Sequence, residues 1–362
     1  MKRYIWFILL LLVSCQGEHP SNHPGKKKME PPSLSVIIDI PALPVKQQIS
    51  GTCWAYSTTS FLESEIYRIK GFFIDLSEMY FVYNAYKQKA QNYILRQGTA
   101  RFTEGGCNYD PLVDIGRLGV MPQGSYAADT LYDHHQLIEE LTSHVHRFAD
   151  ARNQPTGVWR TQVSEILDSY MGKPADTFSY EGREYTSQTF FHYTELHKED
   201  YINLTSFLHL PLDSYAVLEI PANWSSSRYF NISLDEYMAN IDHALETGYS
   251  LAIDMDLTEP ELSEMPGFAF LSSDSVITPQ KRQMDFESFV TTDDHNMHLV
   301  GKVQDSSGNL YYKCKNSWGT SFGIDGHFYL TPSYVRAKSI YVMLHKEGLL
   351  ETTRKKIETN SL

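Results

Sequence analysis

QQISGTCWAYSTTSFLESEIYRIKG, Gln47 to Gly71, sets a cysteine beside a tryptophan at the start of what reads as an amphipathic helix. Thr58, Phe61, Leu62, Ile66 and Ile69 recur at helical spacing, Glu63 and Glu65 fall on the wetter side, and Gly71 supplies a C-terminal stop. The pattern predicts a helix from Cys53 to Lys70, about five turns long. Two readings of Cys53 stand at this point. Cysteine is among the most buried residue types, but at a helix N-terminus the macrodipole favours the thiolate, and a neighbouring imidazolium lowers the thiol pKa further.

The chain has 362 residues, 42% of them hydrophobic and 13% aromatic, which places it among globular proteins large enough for two lobes or one lobe with an insertion. A net charge of -13 argues against a nucleic-acid partner, whose phosphates call for clustered Lys and Arg. Residues 1–15 read as a targeting segment: Lys2 and Arg3, an apolar stretch from Ile5 to Val13 too short to span a membrane, then Ser14-Cys15. This ending resembles a bacterial lipobox, in which Cys15 carries a lipid; an ordinary signal peptide with an incidental cysteine is the alternative, and either exports the protein. Residues 16–33 read as a flexible tether. Without Cys15 the chain keeps Cys53, Cys107 and Cys314, so in an oxidising compartment at least one thiol stays free within the chain.

Further along, Ser77 caps an expected helix to about Gln91. The paired glycines of EGGCNYDPLV, Gly105 and Gly106, permit close approach of a backbone. Residues 129–210 read as a helical insertion. Its His134, His135, His144 and His146 lack a ligand set at standard metal spacing, so no metal is expected. SLDEYMANIDHALETG reads as a capped helix closing at Gly248, followed by a strand from Tyr249 to Leu257. HNMHLVGKVQD and LYYKCKNSWG read as strands joined by a turn at Ser306 to Asn309, and GHFYLTP as another. The chain is therefore expected to be α+β: a helical lobe over 34–240, an antiparallel β lobe over 241–345, and a tail over 346–362.

A nucleophilic thiol needs a histidine, a group to hold the imidazole tautomer, and donors for an oxyanion. Gln47 lies six residues before Cys53, Trp54 follows it, His295 opens a strand ending at Gly301, and Asn316 begins Asn-Ser-Trp-Gly. In that order these motifs resemble the papain-like cysteine peptidases. Ser50 stands where the papain motif has a cysteine. His295 lies roughly 240 residues after Cys53, against about 130–150 in the papain type. Both features resemble the bleomycin hydrolase and aminopeptidase C branch. The resemblance spans roughly residues 36–345 and is weakest over 129–210.

The resemblance implies a two-lobe fold with a helical insertion and a barrel-like β lobe. It makes Cys53 the nucleophile, His295 the general base and acid, Asn316 the imidazole-orienting group and Gln47 the oxyanion donor. It gives Gly105 and Gly106 the substrate backbone, lets Trp318 shield the Asn–His bond, and calls for no cofactor. His298 and Gln48 are rivals to His295 and Gln47, and spacing to Gly301 and to Cys53 selects the latter two. Asn296 stands where the family usually has alanine. Cys107 and Cys314 read as packed thiols, with a mutual disulfide as the alternative.

The function expected is an exported, lipid-anchored cysteine peptidase, aminopeptidase-like, taking peptide substrates. An endopeptidase and a catalytically silent surface binding protein are the alternatives. In that branch the C-terminal tail lies in the cleft and sets exopeptidase behaviour. The tail here, LLETTRKKIETNSL, has no resemblance to it. The branch also implies homo-oligomers, often ring-like hexamers.

Overall fold

The structure is a computed structural model that describes residues 31–128, 133–151, 157–258, 265–271 and 276–360. The targeting segment with Cys15 and most of the tether lie outside the described residues. The elements run β1 (Leu34–Asp39), α1 (Cys53–Lys70), α2 (Glu78–Leu95), α3 (Ile115–Leu118), α4 (His135–Asp150), α5 (Val158–Met171), β2 (Phe178–Tyr180), β3 (Arg183–Tyr185) and α6 (Ser187–Thr194). They continue β4 (Tyr201–Thr205), β5 (Ser214–Val217), β6 (Arg228–Asn231), α7 (Leu234–Glu246), β7 (Leu251–Met255), β8 (Phe268–Ala269), α8 (Pro279–Glu287), β9 (His295–Asp305), β10 (Leu310–Lys315), β11 (His327–Leu330), α9 (Pro332–Lys338), β12 (Ser339–His345) and α10 (Glu351–Asn360).

The α+β class is as the sequence predicts, with more strands than the sequence reading located. The large sheet has ten strands in the order β5-β6-β4-β12-β7-β9-β10-β11-β8, with β1 paired to β9. Strands β4, β5 and β6, within the stretch read from the sequence as helical lobe, thus belong to the sheet, as does β1. Most pairings are antiparallel, while β4–β6 and β8–β11 are parallel. The cause is tertiary: β4 finds its partner in β12, about 140 residues away, and no local periodicity reports such pairing. The helical lobe gathers α1, α2, α4, α5 and α6 around one apolar core that includes Trp54, Phe61, Tyr86, Leu141 and Leu167.

Helix α1 has the predicted limits and ends on Gly71 in the left-handed region at φ 77°, its amide donating to the Tyr67 carbonyl. Its surroundings differ from the amphipathic expectation. Every residue from Cys53 to Ile66 is buried, because one face enters the helical core and another meets β9, where Ser57 Oγ donates to the Met297 carbonyl. Glu63 and Glu65 are buried rather than wet, and Ile69 is exposed. Burial is tolerable because both carboxylates are partnered: Glu63 accepts the Leu76 amide and faces Lys46, and Glu65 receives Arg68. Ser77 caps α2 through the Tyr80 amide, as predicted.

Within the C-terminal tail, residues Glu351–Asn360 form α10. It docks on the β lobe, with Thr353 and Lys356 both bonded to Glu236 of α7, and Asn240 donating to Thr353.

Candidate active site

Cys53 opens α1 at the junction of the two lobes, flanked by Thr52, whose side chain makes no capping bond. The turn before it is tied from three directions. The Gly51 amide donates to the Glu104 carboxylate, the Ser50 hydroxyl accepts the His134 amide, and Gln48 donates to the Ser50 carbonyl. Ser50, the position that set this chain apart from the papain type, is thereby a hydrogen-bonded anchor of the turn.

The sheet delivers the histidine. His295 begins β9, pairs across to Met255 of β7, and its Nε2 lies 2.7 Å from Asn316 Oδ1 just beyond β10. Since an amide oxygen only accepts, Nε2 carries the proton, leaving Nδ1 for exchange with another group. Trp318 covers the imidazole, its ring centroid 4.4 Å away at 36°. The same Asn316 oxygen accepts the Ser317 amide, which fixes the amide's orientation.

His298 is held elsewhere. It is fully buried, and its Nδ1 bonds Ser60 in the middle of α1; burial and the Lys315 charge keep its pKa well below the ordinary value. The two glutamines separate as well. Gln48 is buried and locked between the Ser317 hydroxyl and the Ser50 carbonyl. Gln47 is exposed, its backbone bridged to Trp318 and its side chain beside Gly319, where an added Cβ would sit 3.3 Å from Oε1.

The sequence reading passed over one contact: Asn296 Nδ2 lies 3.8 Å from Cys53 Sγ, with its Oδ1 held by the Tyr341 hydroxyl. The polar residue in place of the expected alanine is the signal that marked this position.

No protein-family model matches the sequence, and neither does any curated protein. Solved structures do match. PepW from Lactobacillus rhamnosis HN001 superposes at a TM-score of 0.73 over 91% of this chain and 86% of that one, at 17% identity. The fold is papain-like. A structure reported for the mite allergens Blo t 1 and Der p 1 (TM-score 0.44, 18% identity, 84% of this chain and 67% of that one) is also similar. So is the proform of the Amb a 11 cysteine protease, a ragweed pollen allergen (0.42, 14%, 90% and 66%).

Within the papain-like frame, Gly105 and Gly106 lie beside Trp54, whose indole donates to the Glu104 carbonyl. No atom lies within 4 Å of where a Cβ on Gly105 would point, whereas a Cβ on Gly106 would meet Asp110 Oδ2 at 2.6 Å. Lys89, buried in α2, holds this segment by donating to the Thr103, Glu104 and Gly105 carbonyls, and burial lowers its pKa to about 8.

A strap from 220 to 227 crosses from the β lobe. The Ala222 amide donates to Asp293 Oδ2, while Trp224 Nε1 and Ser225 Oγ donate to Asp110 on the opposite side. Asp293 stands two residues before His295. The strap therefore links the histidine strand to the glycine segment. Asp254 of β7 pairs in register with Asn296 and is fully buried, as is the Tyr229 hydroxyl beside the Cys107 thiol. Burial and the neighbouring Asp293 and Asp294 charges push Asp254 well above the carboxylate range, and burial raises Asp293 to about 6.

Behind Asn316 and Asn296 lies a small interior space lined also by Lys46, Glu63, Glu78 and Lys315. Lys46 gathers charges of the helical lobe, bonding Asp75 and Glu78. Burial raises Glu63 to about 8.

None of the buried Cys53, Cys107 and Cys314 is in a disulfide, so the Cys107–Cys314 alternative does not hold. Among the insertion histidines, His134 bonds Tyr86, and burial lowers its pKa to about 4. His135 and His146 pair with Glu139 and Asp150 one turn on. Among the described residues no group of three His, Cys, Asp or Glu side chains could hold a metal ion.

Proposed function

We propose that this chain is a cysteine peptidase acting on short peptides from their free N-terminus, with Cys53 as nucleophile. The observation that carries the reading is the His295–Asn316 bond under Trp318, which leaves Nδ1 for the thiol at the α1 N-terminus. In the proposed reaction the thiolate attacks the scissile carbonyl carbon, and the Cys53 amide and the Gln47 side chain stabilise the oxyanion. His295 gives its proton to the departing amine, leaving an acyl-enzyme. Water, deprotonated by His295, then releases the acid product and the thiol. Gly105 and Gly106 hold the extended substrate backbone.

The strap from Ala222 to Ser225, tied to Asp293 before the histidine strand and to Asp110 after the glycine pair, supports exopeptidase over endopeptidase action. The described part of the tail, α10, is bonded to α7. Labelling with a thiol-directed peptide electrophile, comparing Cys53→Ala and His295→Ala, tests the nucleophile. Survival of labelling in Cys53→Ala, or turnover unaltered by both changes, refutes the peptidase. Equal turnover of N-terminally free and blocked peptides refutes the aminopeptidase form.

Export with a lipid on Cys15 belongs to the same proposal and rests on the leader sequence. Fractionation of Cys15→Ala tests it: retention in the membrane at the wild-type level refutes the anchor. Self-association is tested by light scattering.

A further inference from the structure

We infer that the Asp254–Asp293 carboxyl pair is a receptor for a cationic group of the substrate, an ammonium or guanidinium carried on the acyl side of the scissile bond. The inference rests on the peptidase reading and names the substrate class of that site.

Position comes first. Asp254 lies opposite Asn296 in the β7–β9 register, one pair along from His295 and Met255, and Asn296 reaches the thiol at 3.8 Å. Asp293 precedes His295 by two residues and is partly exposed, so solvent reaches the pair at Asp293. The segment carrying Gly105 and Gly106 borders the same space. The Asn108 amide donates to the Tyr341 hydroxyl, which donates to Asn296. The strap closes the far side through Ala222.

Partners decide the rest. Both Asp254 oxygens are buried and receive no N–H or hydroxyl donor, and the Tyr229 hydroxyl, also buried, has no oxygen or nitrogen partner. Among the described residues no lysine or arginine forms an ion pair with either aspartate. Other buried acids of this chain are supplied: Asp110 accepts three donors, and Asp256 accepts from Thr258 and Thr292 and faces Lys338. A buried carboxyl left without donors is costly, and two adjacent carboxyls hold a proton between them in place of a cation. A substrate cation entering beside Asp293 replaces that proton, which leaves to solvent, and ionises both groups against itself.

Two sources of the cation share this chemistry: the α-ammonium of a short peptide and a lysine or arginine side chain. Four matched substrates separate them, carrying lysine or norleucine as the residue before the scissile bond, each with a free or acetylated N-terminus. Wild-type kcat/KM is expected to favour a cationic substrate by about tenfold or more over acetylated norleucine. A lysine preference that survives acetylation assigns the side chain, and a free-amine preference blind to the side chain assigns the α-ammonium. In Asp254→Asn and Asp293→Asn, each referred to its own turnover of acetylated norleucine, the preference is expected to collapse. No cation preference in the wild type, or one unchanged in both variants, overturns the inference. The wild-type comparison stands even where a variant fails to fold. Failure of all four substrates together with an unlabelled Cys53 removes the peptidase reading and this inference with it. A labelled Cys53 with indifferent substrates overturns this inference alone.

Discussion

Replacing Asn296 with alanine removes the amide that donates to Cys53 from 3.8 Å while leaving His295, Asn316 and the α1 N-terminus in place. A hydrogen bond to a charged group contributes about 1.5–3 kcal/mol, and the long approach to sulfur places this one at the low end. About 1.4 kcal/mol of lost thiolate stabilisation is roughly one pKa unit upward. The assay is the rate of iodoacetamide alkylation of Cys53 against pH, read by mass spectrometry of its peptide. Cys107 and Cys314 are fully buried and stay out of the signal. Below the thiol pKa the variant is expected to react about tenfold more slowly, converging with the wild type at high pH. Tyr341→Phe keeps the amide but frees its oxygen, so a smaller shift in the same direction is expected. Superimposable profiles for Asn296→Ala and wild type, or a shift to lower pH, refute the amide's role at the thiol.

The two glutamines predict opposite phenotypes. Gln47→Ala is expected to lower kcat by about a hundredfold with little change in thermal stability, whereas Gln48→Ala breaks the Ser317 and Ser50 bonds and is expected to lower the melting temperature; melting and turnover measured on both variants check the division, and a kcat loss confined to Gln48→Ala refutes it. His134 predicts a pH dependence of stability. Burial lowers its pKa from 6.5 to about 4, so between these values the unfolded chain binds the extra proton. The stability due to the neutral ring is present above pH about 6.5 and lost as pH falls toward 4, on the order of 3 kcal/mol in all. Urea denaturation at pH 7.5 and 4.5 should show a smaller loss in His134→Gln than in wild type; equal losses refute the assignment, and His298 contributes with the same sign to both proteins.

The individual elements were legible because their causes are local. Ser77 and Ser233 cap helices where the sequence placed caps, and Gly71 ends α1. The Asp305–Asn309 turn joins β9 to β10, with Asp305 accepting the Ser307 and Asn309 amides. The candidate triad was legible for another reason: Cys-Trp, His and Asn-Ser-Trp-Gly are short motifs whose order survives any intervening length. What was not legible came from partners distant in the chain. The moment of α1 misplaced Glu63 and Glu65 because a helix between two lobes is buried on both faces, and the charges that make this tolerable, Lys46 and Arg68, declare their role only when folded.

By itself the sequence determined the α+β class and the helix that begins at Cys53, since helix spacing and caps are written within a few residues of one another. Only the tertiary structure decided which strands join the large sheet and that His298 and Gln48 are held by Ser60, Ser317 and the Ser50 carbonyl. It also decided that Asn296 faces the thiol, that Ala222 to Ser225 ties Asp293 to Asp110, and that Asp254 is buried beside Asp293 with no N–H donor. These are properties of contacts between strands and loops tens to hundreds of residues apart. Their energies depend on burial and on partners that no local pattern specifies.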